Sequence, residues 1–213
     1  MKTRSKALLL TLCAVLLVAA SVLGTMAYLT STDEVKNTFT VGQVKIKLDE
    51  AKANTDGSLV ANADRVKANE YKLLPGHTYN KDPMVTVLNG SESSYVKMTV
   101  TFSKANALDA IFAPTGAELT SIFNGYDATN WIYKDNTKDE TADTRTYEFW
   151  YKETVAAPTA DIALDALFDS ITVPGTITNK QLATIEGMTI TVNAYAIQAD
   201  GFADAEAAWA AFN

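Results

Sequence analysis

Tyr95-Val96-Lys97-Met98-Thr99-Val100-Thr101-Phe102 is the stretch whose reading decides the fold. Val96, Met98, Val100 and Phe102 alternate with Tyr95, Lys97, Thr99 and Thr101. Successive side chains of a strand point to opposite faces, so this spacing gathers the large apolar groups on one side. The same period recurs outward from it. Val44, Ile46 and Leu48 face away from Lys45 and Lys47. Tyr147, Phe149 and Tyr151 alternate with Thr146, Glu148, Trp150 and Lys152, and Ile190, Val192, Ala194 and Ala196 alternate with Thr189, Thr191, Asn193, Tyr195 and Ile197. These segments, rich in Thr, Val and aromatics, predict half-buried strands.

Residues 84–88 predict another strand, which Pro83 starts or leaves at an edge, because proline cannot donate to a ladder. Asn89-Gly90 and the polar residues 91–94 turn the chain toward Tyr95. Residues 164–173, ended by Pro174-Gly175, predict strand in part. Residues 51–64, rich in Ala, Asn and Asp, are the nearest thing to a linker, and no internal repeat is present. Helix is scarcer. Phe202, Ala205, Trp209 and Phe212 recur at helical spacing with Asp200, Asp204 and Glu206 near the positive end, which predicts a short amphipathic helix packed on the sheets. A further helical turn is expected within residues 117–123. Many short strands with polar loops and few helices predict a mainly-β chain, an antiparallel two-sheet β-sandwich with a short C-terminal helix.

Composition narrows the function classes. Of 213 residues, 47% are hydrophobic and 20% charged, as in ordinary globular proteins, which excludes a disordered tail or a polytopic membrane protein. Acids outnumber bases 25 to 18, for a net charge of −7. Residues 1–27 hold three bases and no acid, so the remainder carries 15 bases against 25 acids, a net of −10. Such a surface repels phosphate backbones and argues against nucleic-acid binding.

The basic residues Lys2, Arg4 and Lys6 precede an apolar run from Ala7 to Leu23, interrupted by Thr11 and Ser21. Gly24-Thr25-Met26-Ala27 then offers the small side chains that a signal peptidase reads at −3 and −1, placing the cut between Ala27 and Tyr28. The reading is an export signal over 1–27 followed by a single exported β-sandwich domain over 28–213, with the membrane touched only through the leader before cleavage. An uncleaved anchor is the alternative, as the run sits at the lower limit for spanning a bilayer. Leu12 before Cys13, and an apolar run that continues beyond it, do not suit lipidation.

Cys13 is the sole cysteine and His77 the sole histidine. A disulfide framework and a Cys/His zinc cluster are therefore excluded. His77 follows Pro75-Gly76 and has no HExxH spacing around it, and no GxSxG elbow presents a serine. It reads as a solvated loop histidine. The acidic residues Asp135, Asp139, Glu140 and Asp143 lack the spacing and glycine of an EF-hand, so residues 135–143 read as a solvated loop, with a calcium site as the lesser alternative. No catalytic, metal or cofactor residue is assigned. Trp131, Trp150 and Tyr151 are the aromatics a glycan-binding platform would use, although an aromatic strand is more often core.

Three blocks carry a resemblance. The leader and Ala27-Tyr28-Leu29-Thr30-Ser31-Thr32-Asp33-Glu34-Val35-Lys36-Asn37-Thr38-Phe39-Thr40-Val41-Gly42 resemble exported proteins with SipW-dependent-type signal peptides, the TasA/camelysin-like family, in which the cut is followed by a TF-x-x-G-x-hydrophobic strand. Thr38-Phe39-Thr40-Val41-Gly42-Gln43-Val44 matches that pattern. Leu74-Pro75-Gly76, Lys81-Asp82-Pro83, Val87, Asn89-Gly90 and Tyr95-Val96 resemble a second block, and the ending Ile190–Phe202, with Asn193-Ala194-Tyr195-Ala196-Ile197-Gln198-Ala199-Asp200-Gly201-Phe202, a third. The resemblance implies a jelly-roll-like sandwich, processing by a SipW-type signal peptidase and residence at the cell surface or in extracellular matrix, with biofilm fibres as the assembled form. Camelysin-like members imply a surface metallopeptidase, but no matching histidines are present to carry that activity over.

A physical route to fibres accompanies the resemblance. A sandwich missing one strand offers an unpaired edge that an extended segment of a neighbour can fill, and such a head-to-tail contact propagates. Residues 28–40, with Tyr28, Leu29, Val35 and Phe39, are the candidate assembly strand. The alternative is that residues 37–48 form the first strand of their own sheet. The expected function is a structural subunit that self-associates; a camelysin-like metallopeptidase and a surface adhesin or glycan-binding module are the rivals.

Overall fold

The computed structural model describes residues 6, 10–18, 42–112 and 122–212. The chain divides into two units, Met1–Val41 and Gly42–Asn213. In the first, residues 10–18 are helical and present Leu10, Leu12, Val15, Leu16, Leu17 and Val18 as exposed apolar side chains, with Cys13 also exposed. Among the described residues no helix is long and apolar enough to cross a membrane.

The second unit is mainly β, and its strands pair antiparallel throughout. β1 (Ile46–Asp49), β3 (Met84–Val87) and β7 (Ile162–Ala163) form one sheet in the order β1-β3-β7, and β2 (Thr78–Asn80) pairs with β8 (Ser170–Thr172). The largest sheet contains β4 (Ser94–Ser103), β5 (Trp131–Asp139), β6 (Thr144–Tyr151) and β9 (Ile190–Gln198), in the order β5-β6-β4-β9. β4 is its centre: Met98 lies opposite Phe149 and Ala194, and Val100 opposite Tyr147 and Val192.

The alternation quoted above explains this centre. Val96, Met98, Val100 and Phe102 are wholly buried, while the residues between them are half-exposed. Their core face meets Val85 and Val87 of β3, Tyr79 of β2 and Ile171 of β8 in one apolar cluster. Phe123 joins it, with ring centroids 4.7 Å from Phe168, 5.3 Å from Tyr147 and 5.8 Å from Phe149. Burial of each such ring stabilises the fold by about 2–3 kcal/mol.

The turn at Asn89-Gly90 does lead toward Tyr95, but across sheets. Leu88 N–H donates to Lys45 O and Glu92 N–H to Gln43 O, so the loop stays beside β1. Ser94 then exchanges backbone hydrogen bonds with Val155. Two loop expectations are corrected. Residues 51–64 are no linker: Ala53 bridges Leu59, and Gly57 O accepts from Asn80 N–H. Gly57 has φ +90°, and a Cβ there would stand 2.5 Å from Thr78 O, so only glycine lets this arm lie against β2. The acidic stretch 135–143 belongs to β5 and its tight turn into β6, because β6 offers it a ladder from Tyr151 to Thr144.

Among its described residues the unit also has three short helices. α1 (Ala105–Phe112) buries Leu108, Ile111 and Phe112, and its first turn is capped from afar by Asp143, whose O and Oδ1 accept from Ala105 and Asn106 N–H. α2 (Asn179–Thr184) begins with a capping box between Thr178 and Gln181. α3 (Ala205–Ala211) is the expected C-terminal helix, capped by Asp204 and anchored by buried Ala208 and Trp209. The helical turn expected within 117–123 falls mostly outside the described residues.

Candidate functional site: the seam between β1 and β9

β9 is the edge of the large sheet, and its outer side carries no ladder partner among the described residues. Ser103 N–H donates to Thr189 O, and Ala199 N–H donates to Ser93 O. Antiparallel pairing alternates, so odd-numbered residues of β9 bond to β4. The N–H and C=O of Ile190, Val192, Ala194 and Ala196 therefore point outward. Their side chains are half-buried against the core. No charged residue occurs from Gly187 to Ala199.

The opposite edge is built differently. β5 carries Lys134, Asp135, Lys138 and Asp139, and its register slips between Tyr133 and Asp135. A bulge and charges are the features that keep a sheet edge from pairing with another chain. The large sheet is thus guarded on one side and open on the other.

β1 is likewise the outer strand of its own sheet and comes within 8 Å, Cα to Cα, of β9 without pairing to it. Between them runs a cleft of about 350 Å³ lined by Leu48, Pro83, Ile190 and Val192 together with the polar residues Glu50, Asn69 and Lys81. Asn69, Lys81 and Ile190 also line a larger cleft of about 870 Å³, bounded by Tyr71, Leu73, Leu182 of α2 and Met188. The two clefts share residues and form one groove.

Charged groups brace the β1 end of this groove. Arg65 donates through Nε to Asp49 Oδ1 at 2.5 Å and through Nη1 to Asp82 Oδ2 at 2.7 Å, and Lys47 pairs with Asp49 Oδ2 at 2.6 Å. Burial pushes the Asp49 carboxyl up, but the hydrogen bonds from Lys47 and Arg65 outweigh it and hold it below the usual carboxylate range. Beside it Glu50 and Lys81, 4% and 8% exposed, form a buried pair at 2.5 Å. Asn69 Nδ2 donates to the other oxygen of Glu50 at 3.0 Å. Tyr71 stands over this group, its hydroxyl donating to Asn80 O at 2.5 Å, and burial raises its phenol well above the ordinary range.

None of the described candidate site residues singled out by sequence lines this groove. Ala27, Tyr28, Leu29, Val35 and Phe39 lie outside the described residues. His77 is exposed, in the turn after Pro75-Gly76, with its ring 6.4 Å from Tyr79. Asp135, Asp139, Glu140 and Asp143 hold backbone amides or lysines, and no three His, Cys, Asp or Glu side chains converge among the described residues. Trp131 is 1% exposed and donates its indole N–H to Asp165 O at 3.0 Å, and Trp150 is 9% exposed. Neither offers a sugar an open face.

The groove residues Glu50, Asn69, Tyr71 and Lys81 were missed by sequence reasoning. They sit in three separate segments, and only the fold brings them together. No family model, no curated protein and no solved structure matches this chain.

Proposed function

We propose that the chain is an exported structural subunit of the cell surface or extracellular matrix. It assembles when residues 28–40 of one copy lie along the outer edge of β9 in the next. The supporting observation is the nine-residue, uncharged edge of β9, which has no ladder partner among the described residues and lies beside a groove of mixed polar and apolar lining. On this reading the unit is a jelly-roll-like two-sheet sandwich, with β5-β6-β4-β9 as one layer and β1-β3-β7 with β2-β8 as the other. The outer edge of β9 is where the added strand pairs.

The donor precedes β1 in the chain. Cleavage between Ala27 and Tyr28 by a SipW-type peptidase frees its end, so processing licenses assembly. The contact joins a tail to a groove and does not close on itself, so it extends into a filament. The resemblance of the leader and residues 38–44 to the TasA/camelysin-like family points the same way.

The test is size-exclusion chromatography and electron microscopy of protein beginning at Tyr28. Filaments or concentration-dependent oligomers are expected. Monomers alone across concentration, salt and pH overturn the assembly reading. Deletion of residues 28–36 should abolish the filaments, and their persistence removes these residues as the donor.

A further inference from the structure

We propose that Lys81 and Asn69 join in an intramolecular isopeptide bond, formed by the chain itself with Glu50 as the proton-transfer group. Glu50 holds both reactants on one carboxylate: Oε2 accepts from Lys81 Nζ at 2.5 Å, and Oε1 accepts from Asn69 Nδ2 at 3.0 Å. The amide of Asn69 is fixed at both ends. Its Oδ1 accepts from the backbone N–H of Ala53 at 2.8 Å, and its Nδ2 also donates to Ala51 O at 2.9 Å. An N–H aimed at the amide oxygen stabilises the oxyanion that develops when Cγ is attacked.

The surroundings favour the reaction. Lys81 and Glu50 are more than nine-tenths buried. The contact between Lys81 Nζ and Glu50 Oε2 places the carboxylate where it can take a proton from the amine. The reactants are held in place before reaction, which removes the entropic cost of bringing them together.

The step balances without an oxidant or cofactor. Lys81 Nζ gives a proton to Glu50 and attacks Asn69 Cγ. The Nζ–Cγ bond forms and the Cγ–Nδ2 bond breaks. Of the three protons of the lysine ammonium, one remains on the new amide nitrogen. The other two pass through Glu50 to the leaving nitrogen, which departs as ammonium and leaves Glu50 a carboxylate. The product ties the arm beside β1 to the segment entering β3, next to the groove. This goes beyond the assembly reading and does not depend on it.

Intact-mass spectrometry of the purified, denatured chain, its amino terminus fixed by peptide mapping, tests the proposal. The expected mass is lighter than the sequence requires by one ammonia. Trypsin should fail to cut after Lys81 and should yield residues 68–72 covalently joined to residues 73–97. Glu50→Gln and Lys81→Arg should restore the full mass. Asn69→Asp should reach the same final mass as the natural chain, by losing water. A natural chain of full sequence mass overturns the proposal, whether or not any variant folds. So does an ammonia loss that survives Lys81→Arg, which would assign the change to another site such as the Asn89-Gly90 dipeptide.

Discussion

Tyr147 is wholly buried in the strand that faces β4, and its hydroxyl has no hydrogen-bond partner among the described residues. Burial pushes the phenol up to about 12. The folded state therefore holds the proton more tightly than the unfolded chain, where a tyrosine titrates near about 10. Stability from this group is intact below pH about 10 and is lost as pH rises toward about 12. Tyr147→Phe removes a buried polar atom that has no partner among the described residues, so its thermal stability should equal or exceed the natural chain by up to about 1 kcal/mol. Its alkaline denaturation should begin at higher pH, and a calorimetric pH series reads both. Arg65 is the opposite case. Arg65→Ala leaves Asp49 and Asp82 short of their shared cation and should cost about 3 kcal/mol in urea unfolding.

At the scale of elements, the outer side of β9 decides what the fold can join. Ala194→Pro removes an N–H that points away from β4, so the ladder within the sheet survives while strand addition is blocked. Circular dichroism should show a folded protein, and electron microscopy should show no filaments. Filaments formed by this variant would move the acceptor elsewhere. β4, β6 and β9 were legible because their apolar residues keep strict alternation next to polar ones. β5 was not, since Tyr133-Lys134-Asp135-Asn136 breaks the period at a bulge, and its outer half is polar on both faces. α1 escaped because its first turn is capped by Asp143, which is remote in sequence, whereas the Thr178-Asn179-Lys180-Gln181 signature of α2 was present and was passed over. The C-terminal helix was legible from spacing alone. Its docking was not: Trp209 packs 6.1 Å from Trp150, and Lys97 lies 4.7 Å from the Trp209 ring, contacts made across the sheet.

For the whole molecule, acid is the expected weakness. Burial raises the Asp49 and Asp109 carboxyls, yet the cations of Lys47, Arg65, Arg145 and Lys138 hold both below the ordinary range. A depressed carboxylate contributes stability above its unfolded value near about 4 and loses it as pH falls through the folded value. Urea midpoints should be flat from neutrality to pH about 5 and fall steeply below pH about 4. The candidate groove was invisible to sequence for a topological reason, since strand order, and hence which edge stays open, depends on pairings between residues nearly a hundred positions apart. The bare margin of the large sheet has a handling consequence. Nothing along that strand repels a neighbour, so colloidal protection falls to the overall acidic surplus. Mild acidification or high salt, each of which cancels or masks that surplus, should cloud a purified solution well before the chain unfolds, and a single lysine substituted at Asn193 should keep it clear.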